Sequence, residues 1–190
     1  MICSDGSFDP HTRSAFYGMI FTTLDSHLLK LSGPCCGTPY HMSPIRAELT
    51  SLTAVLHFFL VLSSTHNIST GWVTLYNDST KAIKYIYYPE RKFKRFLIDD
   101  YDLLVEIRAS LQALKTRVTL NLVWVKGHFK GKTKEPKHFL NEEAHRLASS
   151  ALASPKTCSI DIPPPSSLVD QRSWPYYYLK VASLYTGGST

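Results

Sequence analysis

The sequence predicts an α/β fold, a five-stranded mixed sheet flanked by helices in the element order β-β-β-α-β-α-α-β-α. Three observations carry this prediction. Three β-type runs with short connections occupy the chain up to Pro34, the pattern of an antiparallel meander. Beyond them, segments with helical periodicity alternate with two further β-type runs. The chain has 190 residues, room for one domain of ordinary size plus an appendage.

The first run, residues 2–8 (ICSDGSF), places Asp5 in the middle of a strand and follows it with Gly6 and Ser7. A buried, unpaired carboxylate is costly, and a bound metal ion is the usual remedy. Gly6 removes a side chain where a ligand's backbone would come close. The triplet also fits a turn. Asp9-Pro10-His11 reads as a turn, and residues 15–23 (AFYGMIFTT) as a second strand. Residues 24–27 form a second turn, and 28–31 a third strand that ends at Ser32-Gly33-Pro34. A looser stretch, 35–44, leads into a helix over 46–62 with Leu49, Leu52, Leu56 and Phe59 on one stripe. Glu48, four residues before Leu52, lies on that inward side. It is either a surface acid favoured by the helix N-terminus or an acid aimed at a site.

A fourth strand, 72–76, ends in Asn77-Asp78-Ser79, and a helix over 80–87 carries Ile83, Ile86 and Tyr87 on its apolar side. Asp78 either N-caps that helix or lies in the crevice where open α/β sheets bind ligands. Residues 89–95 (PERKFKR) set Arg91, Lys92, Lys94 and Arg95 against Glu90, with Phe93 between them. Asp99-Asp100 opens a helix in which Leu103, Ile107, Leu111 and Leu114 recur. The fifth strand, 118–125, puts Val118, Leu120, Leu122 and Trp124 on one face, and Lys126-Gly127-His128 with a basic loop follows. The last helix, 139–153, turns Ala144, Leu147, Ala148 and Ala151 inward. At Ser154-Pro155 the chain changes character. Residues 1–153 therefore read as the domain, and 154–190 as a Pro-rich linker and aromatic C-terminal tail whose WPYYYL segment docks as a strand or meets a partner.

Hydrophobic content of 44% with 12% aromatic suits a packed globule. The net charge of +6 is moderate, but the cations cluster, and a local basic stripe attracts a polyanion where it is not simply a solvated face. Four cysteines without CxxC spacing fit free thiols in a reducing compartment; Cys35, Cys36 and His41 lack a fourth ligand for zinc. With a strand starting at residue 2, no signal or transit peptide is expected, and a start directly on a strand points to a domain taken from a longer chain. The longest apolar run, 49–64, is interrupted by His57 and falls short of the roughly 20 residues of a membrane span. The expectation is a soluble intracellular protein, cytoplasmic or nuclear, that makes no membrane contact.

The element order, with acids in the middle of strand one, at the start of the first helix and at the end of strand four, resembles the ribonuclease H fold and active site. Asp5 sits in DGS, Glu48 in RAEL, Asp78 in NDS and His128 in KGH, and residues 141–148 (NEEAHRLA) match the family's last-helix motif. The resemblance covers residues 2–153. GPC before the first helix and RAEL within it are similar to ribonuclease H domains of retroelement polyproteins.

The resemblance implies endonucleolytic cleavage of the RNA strand of RNA–DNA hybrids with two Mg²⁺ ions, and Mn²⁺ as a substitute. It makes Asp5, Glu48 and Asp78 metal ligands and His128 a mobile proton carrier. Hard cations take oxygen ligands, and two of them stabilise both the attacking and the leaving oxygen of a phosphodiester. Where the family usually carries a fourth carboxylate, this chain has His145. Imidazole suits Mn²⁺ or Zn²⁺ better than Mg²⁺, so His145 reads as a catalytic stand-in ligand with a Mn²⁺ preference, or as a surface residue, with Glu142 or Glu143 taking over the ligand role or activity lost. By the same alignment Gly6, Ser7, Ser43 and Arg46 lie near the RNA 2′-hydroxyl. Arg91, Lys92, Lys94, Arg95, Lys126 and Lys130 would contact phosphates. A reverse transcriptase domain in a parent polyprotein is the implied protein partner. Two other readings stay open: a weakened module that binds hybrid or duplex without cutting, or braces a polymerase, and a nuclease or integrase of the same fold acting on DNA.

Overall fold

A computed structural model describes residues 1–23, 28–87, 100–129, 131 and 133–154. Three features expected from sequence lie outside them: the 24–27 turn, the basic run with Arg91, Lys92, Lys94 and Arg95, and residues 155–190. Lys130 does as well.

The meander forms as expected. Strands β1 (Ile2–Asp9), β2 (Ser14–Thr22) and β3 (Leu28–Pro34) pair antiparallel in sequence. β3 runs three residues past its expected end because Ser32, Gly33 and Pro34 find partners in Gly18, Tyr17 and Phe16. Tertiary pairing there overrides weak local propensity. After a 3₁₀ turn (Pro39–His41) comes helix α1 (Pro44–Thr65). It starts two residues earlier than its apolar stripe announces. The Ser43 hydroxyl accepts the Arg46 amide at 3.1 Å, and Pro44 takes the first helical position, where its missing N–H costs nothing.

Strand β4 (Trp72–Asn77), helix α2 (Thr80–Tyr87), helix α3 (Tyr101–Lys115), strand β5 (Thr119–Trp124) and helix α4 (Pro136–Ala153) complete the described chain. The sheet order is β3-β2-β1-β4-β5, with β4 parallel to both β1 and β5. α4 begins three residues before the expected 139. Glu135 and His138 cap each other's backbone amides, and Pro136 follows the cap. Trp124, expected on one face of β5 with Val118, Leu120 and Leu122, is 48% exposed; its indole N–H donates to the Asp78 carbonyl at 2.9 Å.

The two faces of the sheet follow the period-two alternation of β1. Ile2, Ser4 and Gly6 face α1: Ile2 joins the main core, the Ser51 hydroxyl meets that of Ser4 at 3.3 Å, and a Cβ at Gly6 would lie 2.4 Å from the Ala47 carbonyl carbon. Cys3, Asp5 and Ser7 face α4, where they meet Asn141, His145 and Ser149. The backbone that Gly6 admits on this face is that of α1. Opposite Asp5 in the β1–β2 register stands Gly18, where a Cβ would collide with the α4 backbone, 2.2 Å from the Ala144 carbonyl oxygen. These two glycines seat α1 and α4 against the sheet on either side of Asp5.

α1 is the core helix. Leu49, Leu52, Val55, Leu56 and Phe59 are buried between the sheet and α3, which contributes Leu103, Leu104, Ile107 and Leu114. By length and composition α1 could cross a membrane, yet 67% of its apolar window is buried inside the domain. Arg46 corrects an expectation. It is 5% exposed; Nε donates to the Cys36 carbonyl at 2.8 Å, Nη1 lies 3.3 Å from Asp100 Oδ1, and Nη2 lies 2.7 Å from Asp102 Oδ2. The guanidinium fastens the start of α1 to the start of α3 and does not line a nucleic-acid surface.

Candidate metal centre

β1 and β4 pair only at Ile2↔Leu75 and Cys3↔Tyr76. Past those pairs the strands part, and the acids gather in the gap. Asp5 comes from β1, Asp78 from the turn after β4, and Glu48 from the second turn of α1. One oxygen from each lies within 4.8 Å of the others. Among the described residues this is the group of three or more ligating side chains with metal-binding spacing. Asp5 is 2% exposed.

Each carboxylate is held by a side chain of its own. The Asn77 carboxamide donates to Glu48 Oε2 at 3.2 Å and to the Ser4 carbonyl at 3.0 Å. Asn141 donates to Asp78 Oδ2 at 3.2 Å. His145 Nδ1 lies 2.7 Å from Asp5 Oδ2. Asp78 does not cap α2: the Ser79 hydroxyl accepts the Ala82 amide at 3.2 Å, and Asn77 Oδ1 accepts the Ser79 amide. That arrangement leaves the Asp78 carboxylate to the cluster.

The electrostatics follow from packing like charges out of water. Burial, reinforced by Asp5 and Asp78, pushes the Glu48 carboxyl well above the usual range. Burial and the neighbouring Asp5 charge also raise Asp78. His145 is raised by its hydrogen bond to Asp5, which favours the charged ring. Three carboxylates in one gap repel one another, and a divalent cation removes that cost. The donor set is carboxylate oxygen, the chemistry of a hard cation such as Mg²⁺ or Mn²⁺. The residues fit such an ion.

Beside the acids opens a cavity of about 230 Å³ lined by Asp78, His128, Asn141, Glu142 and His145. His128 takes a left-handed backbone (φ 47°) that brings its ring edge-on to His145, with centroids 4.8 Å apart. Lys126 is exposed on the same loop. Glu142 reaches the cavity with its carboxylate bound to Lys134 at 2.6 and 2.8 Å, while Glu143 is tied to Lys30 and Arg146. Ser43 serves as the α1 cap, and the Ser7 hydroxyl lies 3.4 Å from that of Ser149.

Sequence reasoning missed Asn77, Asn141 and Ser149. Asn141 stands inside the NEEAHRLA motif, and its spacing of four to His145 puts both on one helix face. Asn77 reads from the sequence only as the end of the fourth strand, and nothing local announces its bond to Glu48.

No protein-family model matches the chain, and no curated protein matches it in sequence. Among solved structures the chain is similar to RNase H1 from the halophilic archaeon Halobacterium salinarum NRC-1. The TM-score is 0.51 at 17% identity, over 80% of this chain and 96% of that one. The architecture is the ribonuclease H-like α/β fold.

Proposed function

We propose that the protein is a divalent-metal-dependent nuclease of the ribonuclease H type, cutting the RNA strand of RNA–DNA hybrids. The observation that carries this reading is the convergence of Asp5, Glu48 and Asp78 oxygens within 4.8 Å in a ribonuclease H-like sheet. A pure binding module has no use for three clustered acids that repel one another.

Asp5, Glu48 and Asp78 would hold Mg²⁺ or Mn²⁺, which supplies an activated water and charge neutralisation at the scissile phosphate. The protein's own groups do the rest. Asn77, Asn141 and His145 fix the direction of the three carboxylates before substrate arrives, which is the reorganisation that preorganised sites avoid. His128, exposed at the cavity, carries a proton between its imidazole and solvent as products leave. Lys126 beside it meets a backbone phosphate. The GPC and RAEL segments support a retroelement-derived enzyme, with residues 1–153 as the catalytic unit and 154–190 as an appended tail.

One observation favours the second reading, a module that binds hybrid without cutting: His145 stands where a fourth carboxylate is usual in the family it resembles. Incubation with a hybrid labelled on each strand, in Mg²⁺ or Mn²⁺, separates the alternatives. The nuclease reading expects RNA-strand cuts that disappear in Asp78→Asn. Hybrid binding that weakens with salt but yields no cut in either metal supports the binding module. Cuts in the DNA strand point to a DNA nuclease of the same fold.

A further inference from the structure

We propose that His145 is a positioning residue for Asp5 and not a metal ligand, with Ser149 and Ser7 fixing its ring from behind. The inference rests on the metal-centre reading above and concerns how that centre is held.

The geometry is a ladder between β1 and α4. Asp5 and Ser7, two apart on β1, share the face turned to α4. His145 and Ser149, four apart, share one face of α4. The rungs match: His145 Nδ1 to Asp5 Oδ2 at 2.7 Å, and Ser149 Oγ to Ser7 Oγ at 3.4 Å. Ser149 also reaches back to His145 Nε2 at 3.5 Å. Both ring nitrogens therefore have partners inside the protein.

This decides what the ring can do. A carboxylate oxygen only accepts, so the nitrogen that bonds it carries the proton and has no lone pair for a cation. The other nitrogen is turned to Ser149. An imidazole in this pose holds Asp5 Oδ2 still and leaves the other Asp5 oxygen outside its grip. Asn77 does the same for Glu48, and Asn141 for Asp78. The three carboxylates are thus handled alike, each with one oxygen held by an N–H. The cation meets protein oxygen and no protein nitrogen, so the nitrogen-based preference for Mn²⁺ over Mg²⁺ disappears.

Mn²⁺ added to the full chain, read by pulsed electron paramagnetic resonance and by titration calorimetry, tests the idea without reference to cleavage. The expected spectrum lacks the coupling of a directly coordinated imidazole nitrogen. His145→Asn, whose carboxamide can replace the Nδ1–H, keeps most of the Mn²⁺ affinity. His145→Ala loses about tenfold or more, the usual cost of removing a group that orients a ligand. Thermal melts of the metal-free variants check that each still folds. Imidazole coupling in the wild-type spectrum, lost equally in both variants, overturns the inference and leaves the metal centre standing. Failure of the wild-type chain to bind Mn²⁺ at all, with Asp5→Asn indistinguishable from it, overturns the metal-centre reading itself.

Discussion

At Asn77 a fully buried carboxamide bridges β1, the start of α2 and the Glu48 carboxylate. Replacing it with Ala leaves the Ser4 carbonyl and Glu48 without that donor. Asn77→Ala should lower Mn²⁺ affinity about 10- to 100-fold, as outer partners of metal ligands do; calorimetry reads this directly. Glu48 gives a prediction of opposite sense. Its carboxyl is raised in the fold above the ordinary 4.5, first by burial and then by Asp5 and Asp78. As pH rises, the unfolded chain releases that proton before the folded one does, so the metal-free fold loses stability from the unfolded value upward. Glu48→Gln should therefore melt higher than wild type at neutral pH in chelator, and the gap should close in acid. Added Mg²⁺ should raise the melting temperature of the wild type and do little for the variant. At this scale the sequence told unevenly. Asp5 and Glu48 are legible because acids in a β-type run or on an inward helix face conflict with their surroundings, and Asp78 because it stands at a strand-to-helix junction where open α/β sheets bind ligands. Asn77 and Ser149 break no local rule, and their roles depend on partners far away in the chain.

Elements were legible where periodicity is strong and blurred where chemistry sits outside the periodic stretch. The α1 stripe is correct, yet its first turn is set by Ser43 and Pro44, and that of α4 by Glu135, His138 and Pro136. Caps are polar and lie outside the apolar repeat, so a reading of the repeat starts late. Ser43→Ala should cost about 1 kcal/mol of stability in denaturant titrations, the usual loss at an N-cap. Gly6 is a stronger constraint on α1. A methyl group there meets the Ala47 and Glu48 backbone, with the nearest atom at 2.4 Å, and neither element can yield cheaply. Gly6→Ala should destabilise by about 1–3 kcal/mol through overpacking and should also weaken Mn²⁺ binding, because Glu48 moves with the helix. Stability loss with unchanged metal affinity would detach the glycine from the site.

Across the whole molecule, Arg46 shows how a local motif misleads. Alignment of the RAEL segment to the family it resembles puts its arginine near the RNA 2′-hydroxyl, a position that needs an accessible side chain. The structure closes that space with α3 and binds the guanidinium to Asp100, Asp102 and the Cys36 carbonyl. No pattern within 46–62 predicts a partner in another helix. Breaking a buried ion pair is costly, so Arg46→Ala, which takes a cationic partner from buried Asp100 and a donor from the Cys36 carbonyl, should destabilise the domain by about 3–5 kcal/mol in equilibrium unfolding.

The joining of β1 to β4 past β2, β3 and α1, with the last helix α4 returning to β1, also has a kinetic side. His145 and Asp5 stand 140 positions apart in the chain, and Asn77 and Ser4 stand 73 apart. Contacts of such span carry a large loop-closure cost and are expected to form after the local ones of the meander and α1. A cation that grips only the finished cluster then has nothing to hold at the folding barrier, so it should slow the rate of escape from the native state and leave the rate of arrival untouched.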